Sequence, residues 1–380
     1  MQHPYAGDTA VLIPSYKPDH KLIAYVATLR KAGLQKIVIV DDGSGTEYRT
    51  VFDAIPQDDT VQIIHYEPNC GKGVALKRGL AYLQDECPQC RFIVTADSDG
   101  QHTVTDVLRM SESLHQDGDG LLLGSRNFSE GHVPFKSRMG NRITSMVFRV
   151  LYGQWVSDTQ TGLRGFSREL LPHMLQARGD RYEYEMNVLI VCAASKIKIR
   201  ALPIETVYEN NNEGSHFRAV RDSARIYGVI LSSFVRFMGV SLISFGVDYG
   251  VYLLLNNLFK AYVPALEHHF RFLFVSVLLR IAAATIVARM ISGVLNFFLN
   301  KQFVFSSGAK ISRTFPRYLC VFFTIMMLSA ALTSSLHLWT GWSDNTAKIP
   351  VDIVLFFLSY SLQQQWVFAK TNEKKAPIAS

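Results

Sequence analysis

Four long apolar runs near the carboxyl end constrain this chain more than any other feature of its sequence. They cover residues 237–258, 272–298, 318–338 and 349–368. Each approaches the roughly 20 apolar residues that a helix needs to cross the hydrocarbon core of a bilayer. A soluble all-α domain with buried helices is the alternative, but it would have too little polar surface. We therefore predict four membrane-spanning helices in a lipid bilayer.

The charge of the chain is concentrated in this apolar part. Residues 231–380 hold 13 Lys and Arg against 5 Asp and Glu, whereas residues 1–230 are nearly neutral. The net charge of +7 therefore gives no reason to expect a nucleic-acid partner. Basic residues gather in the loop after the second run and in the tail, and positive loops stay in the cytoplasm. We expect a multi-pass protein of the cell (inner) membrane, with its first half and both termini cytoplasmic.

Charged residues interrupt three of the four predicted spans, and one of them, Asp352, lies near the start of the fourth. Asp248 lies in the first, and Arg280 and Arg289 lie in the second. Charges inside a membrane are costly and are usually paired or face a cavity. Either arginine could pair with Asp248 or extend its side chain towards an interface.

The first 230 residues have an alternating α/β pattern. Short apolar runs at 9–13, 36–40, 61–65, 91–95 and 120–124 predict strands, and the periodicity of 18–32 and 71–84 predicts helices. Such alternation indicates a mostly parallel sheet. Ligands of these sheets bind beyond the carboxyl ends of the strands.

Acidic residues follow two of these predicted strands. Asp97 and Asp99 come directly after one strand, and this pair can hold a hard divalent cation beside a diphosphate. The alternative is a solvated acidic turn. Asp41 and Asp42 follow another strand, where a carboxylate can accept a hydrogen bond from the ring N–H of a base.

A glycine-containing segment, Asn69-Cys70-Gly71-Lys72-Gly73, opens the helix predicted at 71–84. Glycines at a helix N-terminus let backbone N–H groups approach a phosphate. The segment is neither a Walker A loop nor G-x-G-x-x-G, and a simple helix N-cap is the alternative.

Other features admit two interpretations each. Residues 136–152 and 216–231 form basic amphipathic patterns, which suit either an anionic membrane surface or ordinary core packing. Cys87 and Cys90 have the spacing of half a zinc site, but ordinary thiols are the simpler interpretation. Glu183 and Glu185 are either an acid pair near the site or a structural feature of a helix start.

Taken in order, several segments resemble family 2 glycosyltransferases. They are Val11-Leu12-Ile13-Pro14-Ser15-Tyr16, Val40-Asp41-Asp42-Gly43-Ser44, Asn69-Cys70-Gly71-Lys72-Gly73 and Ala96-Asp97-Ser98-Asp99-Gly100-Gln101-His102. Gly124-Ser125-Arg126 and Asp158-Thr159-Gln160-Thr161-Gly162-Leu163-Arg164 are similar to the polyprenyl-phosphate hexosyltransferases, such as dolichyl-phosphate mannosyltransferase. The last 150 residues resemble GtrA-like membrane domains, notably at Asn296-Phe297-Phe298-Leu299-Asn300-Lys301 and Trp366-Val367-Phe368.

The resemblance implies an α/β, GT-A-type, Rossmann-like catalytic domain at residues 1–213. An amphipathic juxtamembrane helix would follow at 214–233, a four-span GtrA-like domain at 234–369 and a cytoplasmic tail at 370–380. The implied reaction moves a hexose, with inversion, from a nucleotide sugar of the GDP-mannose or UDP-glucose type. The acceptor would be the phosphate of a polyprenyl (dolichyl or undecaprenyl) lipid. A processive polysaccharide synthase and a lipid-linked sugar transporter or scaffold are the alternatives.

The resemblance also implies the site residues. Those expected to bind the nucleotide sugar are Pro14, Tyr16, Ile39, Asp41, Asp42, Lys72, Ala96, Asp97, Ser98 and Asp99. Those expected to bind Mg²⁺ or Mn²⁺ are Asp97, Asp99 and Gln101. Those expected to be catalytic are Asp99, Arg126 and Arg138, with the two arginines on the acceptor phosphate.

A lipid phosphate is already an anion, so this chemistry needs positioning and charge screening rather than a strong base. Two arginines suit that task because guanidinium binds phosphate bidentately. The chain departs from the mannosyltransferases at Pro18 and Arg142, which leaves the base and the sugar open.

Overall fold

The computed structural model describes residues 4–126, 135–205, 219–267, 269–272, 275–305 and 307–369. The chain divides into two compact units, Met1–Ile230 and Leu231–Ser380. The elements of the first unit are β1 (Thr9–Ser15), α1 (Lys21–Lys31), β2 (Lys36–Asp42), α2 (Arg49–Asp53), β3 (Val61–Tyr66), α3 (Lys72–Glu86), β4 (Phe92–Thr95), α4 (Val104–Asp117), β5 (Leu121–Arg126), α5 (Phe135–Tyr152), β6 (Arg164–Ser167), α6 (Leu171–Gln176), α7 (Glu183–Ala194) and β7 (Ile199–Ile204). The later elements are α8 (Ala219–Tyr262), β8 (His269–Phe272), β9 (Val275–Leu278), α9 (Leu279–Leu299), α10 (Ile311–Thr340) and α11 (Asp344–Leu362).

The first unit is built on a seven-stranded sheet in the order β3-β2-β1-β4-β6-β5-β7. Its strands are parallel except β6, which runs antiparallel to both β4 and β5. This confirms the five predicted strands and the mostly parallel sheet. The sequence pattern missed β6 and β7, because the first has only four residues and the second is interrupted by Arg200 and Pro203.

The core of this unit lies on both faces of the central strands. Every residue of β1 is buried, as expected for a parallel strand covered on two sides. Helix α3 packs very close to the sheet at Gly79, where a Cβ would lie 2.2 Å from Leu12 Cδ1. The register pairs Ser15 with Asp41, and Leu12 with Thr95. The carboxyl ends of β1, β2 and β4 therefore meet at one edge of the sheet.

Helix α5 confirms the helix predicted at 136–152 and shows which side of it is buried. Asn141, Thr144, Phe148 and Leu151 are buried. The exposed side carries an apolar stripe at helical spacing, which consists of Met139, Ile143, Met146 and Val150. The exposed arginines of the same helix are Arg138, Arg142 and Arg149.

The second unit contains the helices predicted to cross a membrane. Three helical segments, Arg221–Tyr262, Leu279–Val304 and Ile311–Thr340, are long and apolar enough to do so. Helix α11 lies over the fourth apolar run. Within the described residues, the amphipathic segment and the first span are one 44-residue helix, α8.

The predicted start of the second span is wrong. The apolar run begins at residue 272, but the helix begins only at Leu279. The strands β8 and β9 occupy the preceding residues as an antiparallel hairpin. Alternating β-branched Val275 and Val277 favour a strand there.

Polar side chains join the four helices of the second unit. Asn296 of α9 donates to Ser244 of α8 (3.1 Å) and accepts from the Tyr318 hydroxyl of α10 (2.9 Å). Asn300 bonds Asn296 and also donates to Gln363 Oε1 (3.2 Å) at the end of α11. These five residues form one hydrogen-bonded network across the four helices.

The charged residues of the spans are also engaged. Arg289 Nη2 lies 3.4 Å from Asp248 Oδ2, and Ser292 donates to the other carboxylate oxygen at 2.9 Å. Arg280 instead donates to Asn256 Oδ1 at 2.8 Å. Asp248 therefore pairs with Arg289, whereas Arg280 bonds Asn256.

The second and fourth helices end in the same way. Residues 300–304 and 363–367 are π-helical, and each contains an i+5 bond, Phe305 N to Asn300 O and Phe368 N to Gln363 O. The rings of Phe305 and Phe368 stack at a centroid distance of 5.1 Å. The two segments also match in sequence, since each has Leu, Gln, Val and Phe at equivalent positions of 299–305 and 362–368.

Candidate active site at the carboxyl edge of the sheet

Asp41 lies at the carboxyl edge of the sheet, near the end of β2. Its Oδ1 accepts from Ser44 N at 3.0 Å, and its Oδ2 lies 3.0 Å from His65 Nδ1. Ser44 in turn accepts from Lys17 N at 2.8 Å. Asp41 therefore ties the loop after β2 to the loop after β1, where Tyr16 lies half-buried.

Asp42 organises the glycine-containing segment. Its carboxylate is 3% exposed and accepts from the backbone N–H groups of Cys70 (2.8 Å) and Gly71 (2.8 and 3.0 Å). It also accepts from the Tyr66 hydroxyl (2.6 Å) and the Asn69 side chain (2.9 Å). These bonds fix the segment that leads into α3 against the end of β2.

Asp97, directly after β4, is the centre of an ionic cluster. Lys72 Nζ, at the start of α3, lies 2.7 Å from Asp97 Oδ1 and 3.2 Å from Glu185 Oε1. His102 Nε2 lies 3.5 Å from the other oxygen, Asp97 Oδ2. The side chains of Lys72, Glu185 and His102 are at most 17% exposed. Asp97 thus has a cationic or titratable neighbour at each of its two oxygens.

The surroundings shift the pKa values of Asp97 and Lys72 in opposite directions. Burial alone would raise the pKa of Asp97, but the Lys72 ammonium and the His102 ring hold it well below its ordinary range. Burial would lower the pKa of Lys72, but Asp97 and Glu185 raise it. Partial desolvation and then the Asp97 carboxylate raise the pKa of Asp99, although Asp99 stays exposed. Asp97 and Lys72 are therefore both ionised at neutral pH.

The segment 157–163 packs against this cluster. The Thr95 hydroxyl donates to Gly162 O at 2.8 Å. A Cβ at position 162 would lie 2.3 Å from Asp97 Oδ2 and 2.6 Å from Asp97 Oδ1. Only glycine leaves room there for the carboxylate in its observed place.

The same segment holds Arg126, the last residue of β5. Arg126 Nε and Nη2 donate to the two carboxylate oxygens of Asp158 at 2.7 and 3.1 Å. Asp158 is fully buried. Asn141 of α5 also binds the segment, because it accepts from Thr159 N and Oγ1 and donates to Ser157 O. One short segment therefore connects Asp97, Arg126 and helix α5.

The remaining predicted site residues have different environments. Pro14, Ile39 and Ala96 are buried in or directly after their strands, so only their backbone or one side can face a ligand. Ser98 and Gln101 are half-buried, and Gln101 N donates to Asp99 Oδ1 at 3.0 Å. Arg138 is exposed on α5. Arg142, which lies one helical turn later, is exposed as well.

The residues around Asp97 fit a hard divalent cation. Within the described ranges, no group of three or more His, Cys, Asp or Glu is arranged to hold a metal by itself. Mg²⁺, however, is usually bound by one or two carboxylates together with substrate phosphates and water. Asp97 and Asp99 supply those carboxylates, and a divalent cation bound between them would relieve their mutual repulsion. All the candidate ligands offer oxygen donors.

The sequence indicates only part of what the structure brings to the site. It leaves Glu185 open between an acid near the site and a structural helix-start residue, and it marks Gly162 and Asp158 only as part of a motif. Arg164 is 4% exposed and donates from Nη1 to Glu185 O at 2.7 Å. The signal available was the clustering of Asp158, Gly162 and Arg164 in one polar segment before a strand.

Cys87 and Cys90 lie away from this edge, after α3. Both are free thiols and are at most 2% exposed. Burial raises the pKa of Cys90 to about 11.

Comparisons with known proteins agree with this architecture. Residues 10–175 match the family described as Glycosyl transferase family 2. Residues 236–368 match the family described as GtrA/DPMS, transmembrane domain. The chain is therefore an enzyme with a family 2 glycosyltransferase domain and a GtrA/DPMS-type transmembrane domain, and it is a membrane protein.

Individual proteins are similar to the first part of the chain. A UDP-N-acetylglucosamine--dolichyl-phosphate N-acetylglucosaminyltransferase of Methanococcus voltae is 29% identical over 52% of this chain and 85% of its own length. A dolichyl-phosphate hexose transferase of Haloferax volcanii is 28% identical over 43% of this chain and 68% of its own. Among solved structures, a glucosyl-3-phosphoglycerate synthase of Mycobacterium tuberculosis is 17% identical, with a TM-score of 0.46 over 59% of this chain and 78% of that one.

Proposed function

We propose that this family 2 glycosyltransferase transfers a hexose from a nucleotide sugar to the phosphate of a polyprenyl phosphate lipid. The relatives named above carry dolichyl phosphate in their names, which supports a lipid phosphate as acceptor. The observation that carries the proposal is the segment 157–163. It packs against Asp97, where a cation and a donor diphosphate would lie, and it holds Arg126, a residue suited to an acceptor phosphate.

In the proposed reaction, a phosphate oxygen of the lipid attacks the anomeric carbon of the sugar. The bond between that carbon and the diphosphate breaks, the nucleoside diphosphate leaves, and the configuration inverts. No proton has to be removed, because the attacking phosphate is already ionised. The site needs to hold two anions close together, and such charge-stabilising positioning is the larger part of catalysis in many enzymes.

The donor side would be formed by the carboxyl ends of β1, β2 and β4. Pro14, Tyr16, Ile39 and Asp41 would surround the nucleotide, and Lys72 would lie near its diphosphate. Asp42 would support this side by fixing the loop that precedes Lys72. Ala96 and Ser98 would flank the diphosphate.

Asp97, Asp99 and Gln101 would hold Mg²⁺ or Mn²⁺. Such an ion supplies positive charge to the departing diphosphate when it is bound. Asp99 would serve catalysis in this way, since its exposed carboxylate lies two residues from Asp97 and would share the cation with it.

The acceptor side would be formed by Arg126 and Arg138. Asp158 orients the Arg126 guanidinium through two bonds, which leaves a fixed plane for phosphate recognition. The exposed apolar stripe of α5 would lie in the membrane surface, with its arginines at the level of the lipid headgroups. We place this domain and both termini in the cytoplasm, and we keep the domain bounds 1–213, 214–233, 234–369 and 370–380.

The test is a transfer assay with the purified full chain in detergent. Short-chain polyprenyl phosphate is incubated with UDP- or GDP-sugars in the presence of Mg²⁺, Mn²⁺ or EDTA. The mass of the lipid product is measured by mass spectrometry. We expect a single hexose on the lipid phosphate, no product in EDTA and recovery on adding the metal. Transfer that is unaffected by EDTA would refute the metal assignment. Addition of many sugars would instead support a polysaccharide synthase.

A matched pair of variants tests the site itself. Asp99→Asn should abolish nearly all turnover, whereas Asp59→Asn, at an exposed loop position, should leave it unchanged. Equal activity of the two variants would refute the role of Asp99 and would favour the transporter or scaffold alternative.

A further inference from the structure

One ammonium group in the proposed site has two acidic partners from different elements. Lys72 Nζ lies between Asp97 Oδ1 (2.7 Å) and Glu185 Oε1 (3.2 Å). The ring of Tyr182 lies 5.9 Å from the same Nζ. Asp97 belongs to the proposed metal site and Lys72 to the proposed diphosphate site. The proposed function gives no task to Glu185.

Glu185 is held firmly beside Lys72. Its backbone carbonyl accepts from buried Arg164, and its side chain is only 9% exposed. The starts of α3 and α7 also pack at backbone distance, because a Cβ on Gly73 would lie 2.6 Å from Tyr184 Cβ. The fold therefore holds the backbones that carry Lys72 and Glu185 close together.

Lys72 and a divalent cation compete for the same carboxylate. Both would bind Asp97, and two positive charges a few ångströms apart repel each other. When a cation takes Asp97, Lys72 needs another anionic partner in this half-buried place, since an unpaired buried charge is costly. Glu185 already lies within ion-pair distance of it.

We propose that Glu185 is a positioning residue, which retains the Lys72 ammonium beside the donor diphosphate while a divalent cation binds Asp97. This inference rests on the proposed function, because that function supplies the cation and the diphosphate. Lys72 would shift from sharing two carboxylates to pairing with Glu185 and the incoming phosphate. Without Glu185, Lys72 would pair with Asp97 alone and would oppose metal binding.

The test is Mn²⁺ binding to the full chain, measured by the electron paramagnetic resonance signal of free Mn²⁺. The variants are Glu185→Gln, Lys72→Met and the double variant. We expect Glu185→Gln to weaken Mn²⁺ binding about tenfold, as loss of one close charge interaction implies. In the Lys72→Met background, the same substitution should have almost no effect. Glu183→Gln is the control, since Glu183 bonds Asp180 N and Arg181 N instead.

The double-variant cycle separates this inference from simpler explanations. If Glu185 acted only as a nearby negative charge, Glu185→Gln would weaken Mn²⁺ binding equally with or without Lys72, and the inference would be overturned. Unchanged Mn²⁺ binding in Glu185→Gln would also overturn it. Glu185→Asp, which keeps the charge, should recover part of the affinity. The double variant removes Lys72 and Glu185 together, so neither of these two charges is left without the other.

Sugar transfer by the unaltered chain is measured on the same preparation. Failure of transfer with every donor would refute the proposed function, even if Lys72 and Glu185 showed coupling in Mn²⁺ binding. Normal transfer without that coupling would refute only the role of Glu185.

Discussion

Substitution of Gly162 by alanine tests the geometry of the site with one methyl group. A Cβ there would lie 2.3 to 2.6 Å from the three carboxyl atoms of Asp97, whereas ordinary contact begins near 3.4 Å. Asp97 would therefore have to move by about 1 Å. Its carboxylate has little freedom to do so, because Lys72 and His102 lie at its two oxygens.

A displacement of that size should reduce the transfer rate about 100-fold, which is the effect of a 1 Å misplacement on a well-oriented reaction. The crowding itself should cost about 1–3 kcal/mol of stability, so the protein should still fold. The assay is the rate of transfer to short-chain polyprenyl phosphate at saturating donor, together with the thermal unfolding midpoint.

Gly7→Ala is the matched control. It adds the same methyl group where nothing lies within 4 Å, and neither glycine has the positive φ that disfavours alanine. Gly7→Ala should keep full activity. If Gly162→Ala folds and transfers sugar within about threefold of the unaltered chain, then Asp97 does not need its observed position, and the reasoning fails.

Three further predictions concern other parts of the chain. Asp158→Asn should lower the unfolding midpoint by about 5–10 °C, since breaking the buried ion pair with Arg126 costs about 3–5 kcal/mol. An unchanged midpoint would show that this pair is not stabilising. Asn296→Leu should lower the unfolding midpoint in detergent by several degrees, because membrane hydrogen bonds contribute about 0.6–2 kcal/mol each. The control Asn257→Leu, at an exposed position, should leave the midpoint unchanged. Ellman's reagent at pH 8 should label half-buried Cys70 but not buried Cys90, because the Cys90 pKa of about 11 keeps that thiol protonated. Cys90 should react only at higher pH or after unfolding. Rapid labelling of Cys90 in the folded chain would contradict its burial.

The sequence was sufficient for five of the seven strands and for the position of the acidic groups. Apolar runs followed by Asp41 and Asp97 identified strand ends, and parallel strands must bring those ends to one edge. It was also sufficient to recognise four apolar helices and to limit the partners of Asp248 to two arginines. These features depend on local patterns or on a general rule of sheet topology.

Contacts between distant segments could not be predicted in the same way. Nothing in the composition of residues 157–163 shows that Gly162 lies against Asp97, because that contact depends on β6 running antiparallel between β4 and β5. The pairing of Glu185 with Lys72 likewise depends on how closely α3 and α7 approach at Gly73. The late start of α9 was missed because residues 275–278 belong to the same apolar run as the helix that follows them.

The matching ends of α9 and α11 have a mechanical consequence. Because Asn300 bonds Gln363 and Phe305 stacks on Phe368, the two helix ends form one joint rather than two separate termini. A displacement of the end of α11 would therefore also displace the connection between α9 and α10.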